Sequence, residues 1–240
     1  MRPPLVTSTL GTASATWSML DSVATLDSAG GGGRLDVAAA ERGIEVPDPA
    51  GGCDAVLGVE LAPLAEHWLR GSDVIAVFEP RDARRLRSSV MWRAHGRRGS
   101  VVSWEVVVSA QTALLETEIA VAVRATVAAE SLWWLPAGRP SAWRALAPPD
   151  RLPTEAAAIL VRRRLSSCLV AVHPDDVRAI DVDRAADRCT ITCRLFSAPL
   201  EKGVLLRSRV LAALGPAADD ESWAQPTLQA FATSPPPLDT

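Results

Sequence analysis

Three stretches of the chain alternate apolar and polar residues with a period of two, the pattern of a strand with one buried face. Near residue 90, Leu86, Ser88, Val90 and Trp92 oppose Arg85, Arg87, Ser89, Met91 and Arg93. Farther on, Ile119, Val121, Val123, Ala125 and Val127 oppose Glu118, Ala120, Ala122, Arg124 and Thr126. In the third, Cys189, Ile191, Cys193 and Leu195 oppose Arg188, Thr190, Thr192 and Arg194. Turn-forming stretches lie between such runs: "EPRDAR", "HGRRGS" and "DRAADR". Strands separated by short polar turns pair as antiparallel hairpins. The expected fold is therefore all-β, a large antiparallel β-sandwich or curved sheet over residues 59–214.

The flanking regions carry weaker patterns. Residues 1–58 are rich in Ala, Ser, Gly and Asp and are broken by "SAGGGGR" and "PDPAGG", so an irregular or partly mobile N-terminal segment is expected. Residues 129–154 combine prolines with Trp133, Trp134 and Trp143 and read either as a long crossing loop between two strand-rich blocks or as the boundary between two sheets or subdomains. Residues 215–240 read as a peripheral tail.

Charge and hydropathy narrow the function classes. The net charge is −3 and the pI about 5.7, so no basic excess is present to drive nucleic-acid binding by counterion release. The most apolar stretch, "IAVAVRATVAA", is interrupted by Arg124 and falls short of the roughly 20 residues that cross a bilayer. The N-terminal 20 residues lack the apolar core of a secretory signal, and a cytoplasmic protein is expected.

No cofactor motif emerges. The run Gly30–Gly33 lacks the spacing of a dinucleotide or phosphate loop. Cys189 and Cys193 would stand about 13 Å apart along a strand, too far to share one zinc ion. With Cys53 and Cys168 they read as reduced core thiols, and no metal site is expected. Arg162, Arg163 and Arg164 read as charges protecting an exposed or edge strand.

Several polar and aromatic residues remain as candidates. His173 in "VHPDD" has carboxylates beside it that could orient an imidazole, although the same residues also suit a turn. Lys202 is the only lysine in the chain. Its neighbours Glu201 and Gly203 favour an ion-pairing or turn role over a reactive amine.

"RGSDVIAVFEP", "VSAQTALLETE", "VHPDD" and "LEKGVLLRSRV" resemble blocks of a group of uncharacterised β-rich proteins from planctomycete-type bacteria. The resemblance covers about residues 69–118 and 160–212, and its polar members are Glu79, Gln111, Glu116, His173, Asp175, Glu201, Lys202 and Arg207. The strand pattern is also similar to that of galactose-mutarotase-like sandwiches. That similarity implies sugar binding on a concave sheet with His and Glu as acid and base, although that family's histidine motif is absent from this chain.

Three functional expectations follow. The first is carbohydrate binding, with Trp133, Trp134, Trp143, Gln111, Lys202 and Arg207 contacting the ligand. The second is a sugar-active enzyme of the epimerase or lyase type, with His173 and Glu201 or Glu79 as the acid–base pair. The third is a structural or assembly protein without a small-molecule site. The sequence leaves open whether the chain is an enzyme, which ligand it takes and its oligomeric state.

Overall fold

A computed structural model describes residues 15–27, 32–48, 51–81, 86–137, 142–147, 152–177, 179–196 and 199–235 of the 240-residue chain. In chain order the strands are β1 (Thr16–Leu20), β2 (Val23–Asp27), β3 (Gly33–Asp36), β4 (Ile44–Pro47), β5 (Cys53–Val59), β6 (Leu64–Arg70) and β7 (Asp73–Phe78). They continue as β8 (Arg87–Arg98), β9 (Val101–Gln111), β10 (Glu116–Thr117), β11 (Ala122–Ala128), β12 (Ser131–Pro136) and β13 (Arg144–Leu146). The last are β14 (Ala156–Arg162), β15 (Ser166–Val172), β16 (Ala179–Ala185), β17 (Arg188–Arg194), β18 (Leu200–Glu201) and β19 (Leu205–Pro216), followed by helix α1 (Asp220–Thr233).

Two antiparallel sheets result. One has eight strands in the order β1-β2-β3-β4-β5-β11-β17-β16, the other nine in the order β13-β12-β14-β15-β19-β9-β8-β7-β6, and β10 pairs with β18 as a short ribbon. The architecture is the all-β sandwich expected. The three alternations point their apolar members into one core between the sheets: Val90 and Trp92 from β8, Val123, Ala125 and Val127 from β11, and Cys189, Ile191 and Cys193 from β17.

Residues 16–59 depart from the expected irregular segment. They supply β1 to β5, more than half of the eight-stranded sheet, and bury Leu35, Ile44, Val56 and Leu57 completely. Glycine serves close packing here. A Cβ on Gly43 would lie 2.3 Å from the Val56 carbonyl oxygen, and one on Gly58 would lie 2.3 Å from that of Glu41. Gly43 also has a φ of 71°, so its lack of a side chain lets the turn at Val37–Arg42 lie directly on β5.

Residues 129–154 are likewise not one long loop, because β12 and β13 pair within them; residues 138–141 and 148–151 of that stretch lie outside the described residues. Of the tail, residues 220–233 form α1, which packs on the outer face of the nine-stranded sheet. Its first residue, Asp220, receives Arg162 Nε and Nη2, both at 2.8 Å, and the Ser167 hydroxyl at 2.8 Å. Arg162 is thus a helix anchor at the end of β14. Arg163 is buried in an ion cluster with Asp48 and Asp54, and neither residue guards an edge strand, since β14 lies between β12 and β15. The run Gly30–Gly33 falls partly outside the described residues, and Gly33 opens β3.

Cys168, Cys189 and Cys193 are buried free thiols, and Cys53 is exposed. Burial pushes Cys193 up to about 12 and Cys189 up to about 11. Thiolate is the reactive form, so a thiol-specific reagent at pH 8 should label Cys53 alone in the native protein. Labelling of two or more thiols before unfolding would contradict the packing. Among the described residues no cluster of His, Cys, Asp and Glu could hold a metal ion, and no helix is long and apolar enough to cross a membrane.

Candidate functional site

The nine-stranded sheet has an inner face in the core and an outer face divided in two. Over β12, β14, β15 and β19, apolar outer residues such as Leu160, Leu169 and Leu211 are covered by Ala224 and Phe231 of α1. Over β6 to β9, and where β19 joins them, the outer-facing residues include a second, smaller buried cluster of Ile75, Met91 and Val107. Cross-strand register sets the rows of this half: Trp68, Ile75, Met91, Val107 and Arg209 in one, Arg70, Asp73, Arg93 and Glu105 in the next. On the other side lie Val77, Ser89, Ser109 and Arg207, then Arg87, Gln111 and Leu205.

The alternation that buries Val90 and Trp92 places Arg87, Ser89, Met91, Arg93 and His95 on this outer face. A small apolar floor, Ile75, Met91 and Val107, is surrounded by paired charges. Arg93 grips Asp73 with two hydrogen bonds, Nε to Oδ1 at 2.7 Å and Nη2 to Oδ2 at 2.8 Å. Arg87 Nε meets Glu79 Oε1 at 2.8 Å, and Arg207 Nε donates to the Ser109 hydroxyl at 3.2 Å. Trp68, on edge strand β6, keeps 41% of its surface exposed.

The strongest electrostatic grouping centres on Glu105, which is only 2% exposed. Burial opposes its ionisation, but hydrogen bonds from His95 and Arg209, with the charges of both, outweigh that and hold the carboxyl below its ordinary range. Arg209 Nε reaches Oε1 at 2.5 Å, and His95 Nε2 lies 3.1 Å from Oε2. A carboxylate only accepts hydrogen bonds, so His95 Nε2 carries hydrogen. Arg209 is fixed from behind. Its Nη1 donates to the Ser234 carbonyl at 2.9 Å and its Nη2 to the Ser234 hydroxyl at 2.8 Å, tying the end of α1 to the carboxylate.

Between this group and α1 is a cavity of about 290 Å³, lined by His95, Arg98, Ser103, Glu105, Thr227, Phe231 and Ser234 among others. That is the small end of ligand-pocket sizes. A larger cavity of about 670 Å³ opens between the sheets near Glu60, Leu86, Val121 and Arg124. Its charges are exposed ion pairs, Arg124 with Glu60 and Arg194 with Asp181, each at 2.7 Å. It holds no buried titratable group, so the smaller cavity has the more constrained chemistry.

The residues singled out from the sequence are distributed unevenly. Gln111 and Arg207 lie on the outer face, and Glu79 is held by Arg87, the register partner of Gln111. His173 stands at the end of β15, its backbone N–H on the Arg209 carbonyl and its ring edge-on to Phe231 at 5.4 Å. It caps the turn Pro174–Asp176, where its Nδ1 accepts the Asp175 N–H at 3.4 Å. Glu201 lies in β18 opposite Glu116, and Lys202 follows it in the turn into β19, its N–H on the Leu115 carbonyl. Arg209 and Leu205 are four residues apart on β19, about 13 Å, and Glu201 lies beyond Leu205. None of His173, Glu201 and Glu79 lines either cavity. They do not form one acid–base pair.

The three loop tryptophans do not form a stacking surface. Trp134 is buried in the inter-sheet core, and its strand neighbour Trp133 points the opposite way, half-buried beneath the Arg162 guanidinium at 4.2 Å. Trp143 is buried on the α1 side. Their apolar surface is used in folding because β12 lies inside the sheet. His95, Glu105, Arg209 and Trp68 were not singled out from the sequence. The legible signal was the polar half of the alternation in "RSSVMWRAH" and "SWEVVVSAQ", which marks the face turned away from the core. No protein-family model matches the chain, and no curated protein matches it in sequence.

Proposed function

We propose that the protein binds a carbohydrate on the outer side of the nine-stranded sheet, with one sugar ring in the cavity beside His95 and Glu105. The observation that carries this reading is the pairing of charges on that face. Asp73 with Arg93, Glu79 with Arg87 and Glu105 with Arg209 are fixed ion pairs that leave little net charge there. A sugar hydroxyl both donates and accepts, so such a surface suits a neutral polyol better than a strongly charged ligand. The half-exposed Trp68 suits the flat apolar face of a sugar ring.

A second reading, a sugar-active enzyme of the epimerase or lyase type, is favoured by the His95–Glu105 contact. A buried carboxylate that orients an imidazole lining a cavity is suited to proton transfer.

Glycan-array screening followed by calorimetric titration tests both. Trp68→Ala should lower affinity for bound oligosaccharides about tenfold, the size of one lost stacking contact. If the site is catalytic, His95→Asn should abolish turnover of the bound saccharide while it still binds. Absence of saccharide binding across the array would overturn the carbohydrate reading.

A further inference from the structure

Independently of the carbohydrate reading, we infer that edge strand β6 pairs antiparallel with β6 of a second copy of the chain, across a two-fold axis at Trp68. β6 ends the nine-stranded sheet, and no strand among the described residues pairs with its other side. Ala65, Glu66, Trp68 and Arg70 are exposed along it. Such an edge offers a row of backbone N–H and C=O groups to another strand.

The existing ladder sets which groups face outward. The carbonyl of Ser72, just before β7, accepts the Ala94 N–H of β8, so Asp73 and Ile75 turn their backbone groups to Arg70 and Trp68 of β6. His67 and Leu69 between them therefore direct theirs outward. Antiparallel pairing centred on Trp68 sets His67 opposite Leu69 of the second copy, and the outward groups of both meet.

The same register matches the side chains. Glu66, Trp68 and Arg70 share the outer face, as alternate residues of a strand do. Each Glu66 then falls opposite Arg70 of the other copy, on either side of a central contact between the two Trp68 rings. Opposed unlike charges and aromatic pairs favour strand pairing, and opposed like charges resist it. The other long edge shows the contrast. In β16, self-pairing about Val182 sets Asp181 against Asp183, and the remaining edges β1 and β13 have only five and three residues.

A contact through one strand is smaller than a standard interface of about 1,600 Å², so self-association in the micromolar range is expected. Sedimentation velocity of the full-length protein, from low micromolar to submillimolar concentration, should show a reversible monomer–dimer equilibrium. Glu66→Arg and Arg70→Glu each set like charges opposite one another in both pairs and should weaken the dimer about tenfold or more. An equimolar mixture of the two variants brings unlike charges together in both pairs and should recover the parental affinity. Urea midpoints near that of the parent control for folding. In the parent itself, amide exchange at His67 and Leu69 should slow as concentration rises through the dissociation constant, and this measurement decides if either variant is unstable.

A parent protein that stays monomeric at submillimolar concentration would overturn the inference while leaving the carbohydrate reading standing. So would a dimer indifferent to both substitutions, folded variants whose mixture does not recover, or exchange at His67 and Leu69 that does not depend on concentration.

Discussion

Asp54→Ala should cost about 3–5 kcal/mol of folding stability, the usual loss when one partner of a buried ion pair is removed. Asp54 is 1% exposed and lies in β5 of the eight-stranded sheet. One carboxylate oxygen accepts the Ala128 N–H at 3.1 Å, and the other accepts Arg163 Nη1. Arg163 follows β14, in the turn leading to β15 of the opposite sheet, and also meets Asp48 at 3.2 Å. The cluster therefore bridges the two sheets at one end of the sandwich. Without Asp54, a buried guanidinium keeps only one of its two carboxylates, and the Ala128 N–H loses its acceptor. Urea unfolding measures the loss. The double variant Asp54→Ala with Arg163→Met should not recover it, because the buried Asp48 carboxylate then loses Arg163. A loss below about 1 kcal/mol in the single variant would mean that water reaches the cluster.

Glu105→Ala should be nearly as damaging, about 3 kcal/mol or more, because it removes the acceptor of buried Arg209 and the partner of His95. Its pH dependence has a definite sign. The folded-state pKa is depressed below the ordinary 4.5, so the carboxylate's stabilisation is fully present above about pH 4.5 and is lost as pH falls through the folded value. Urea midpoints of the parent protein should therefore fall below pH 4.5 more steeply than those of Glu105→Gln, which cannot titrate at this position. Parallel curves for the two proteins would show that the carboxylate is not held in its charged form. The same variant should loosen the end of α1, since Arg209 bridges Glu105 and Ser234, and faster amide exchange in residues 227–234 would report it.

The alternation in residues 86–93, 119–127 and 188–195 was sufficient for the fold class because strands with one wet and one buried face write their geometry into the sequence. It failed for residues 16–59. There β1 to β4 are only four or five residues long, too short for a period to stand out, and Gly43 and Gly58 are contact points between backbones. Helix α1 was hidden for a related reason. "DESWAQPTLQAFAT" carries Pro226 inside it and only a weak apolar stripe, and the helix is held by the Arg162–Asp220 bond and by Trp223, whose Nε1 donates to the Pro216 carbonyl at 2.9 Å.

The candidate site was legible only in part. Glu79, Gln111 and Arg207 stand near strand ends, and they fall together at one end of the outer face, where Arg87 pairs with Glu79 and faces Gln111. Glu105 was not legible, because in "SWEVVVSA" a lone carboxylate among apolar residues carries no mark of the Arg209 that lies more than a hundred positions later in the chain. The tryptophans mislead for the opposite reason. Proline-rich flanks suggest exposure for Trp133, Trp134 and Trp143, whereas the exposed ring is Trp68 on an edge strand.

Local sequence thus determined that the chain forms antiparallel strands and which parity of each long strand is apolar, since strand geometry sets side-chain direction residue by residue. Which charges meet was decided by tertiary structure alone. Arg209 with Glu105, Arg163 with Asp54 and Arg162 with Asp220 are each joined across distant segments. Pairing of that kind depends on strand order and on where α1 settles, and neither follows from a period of two.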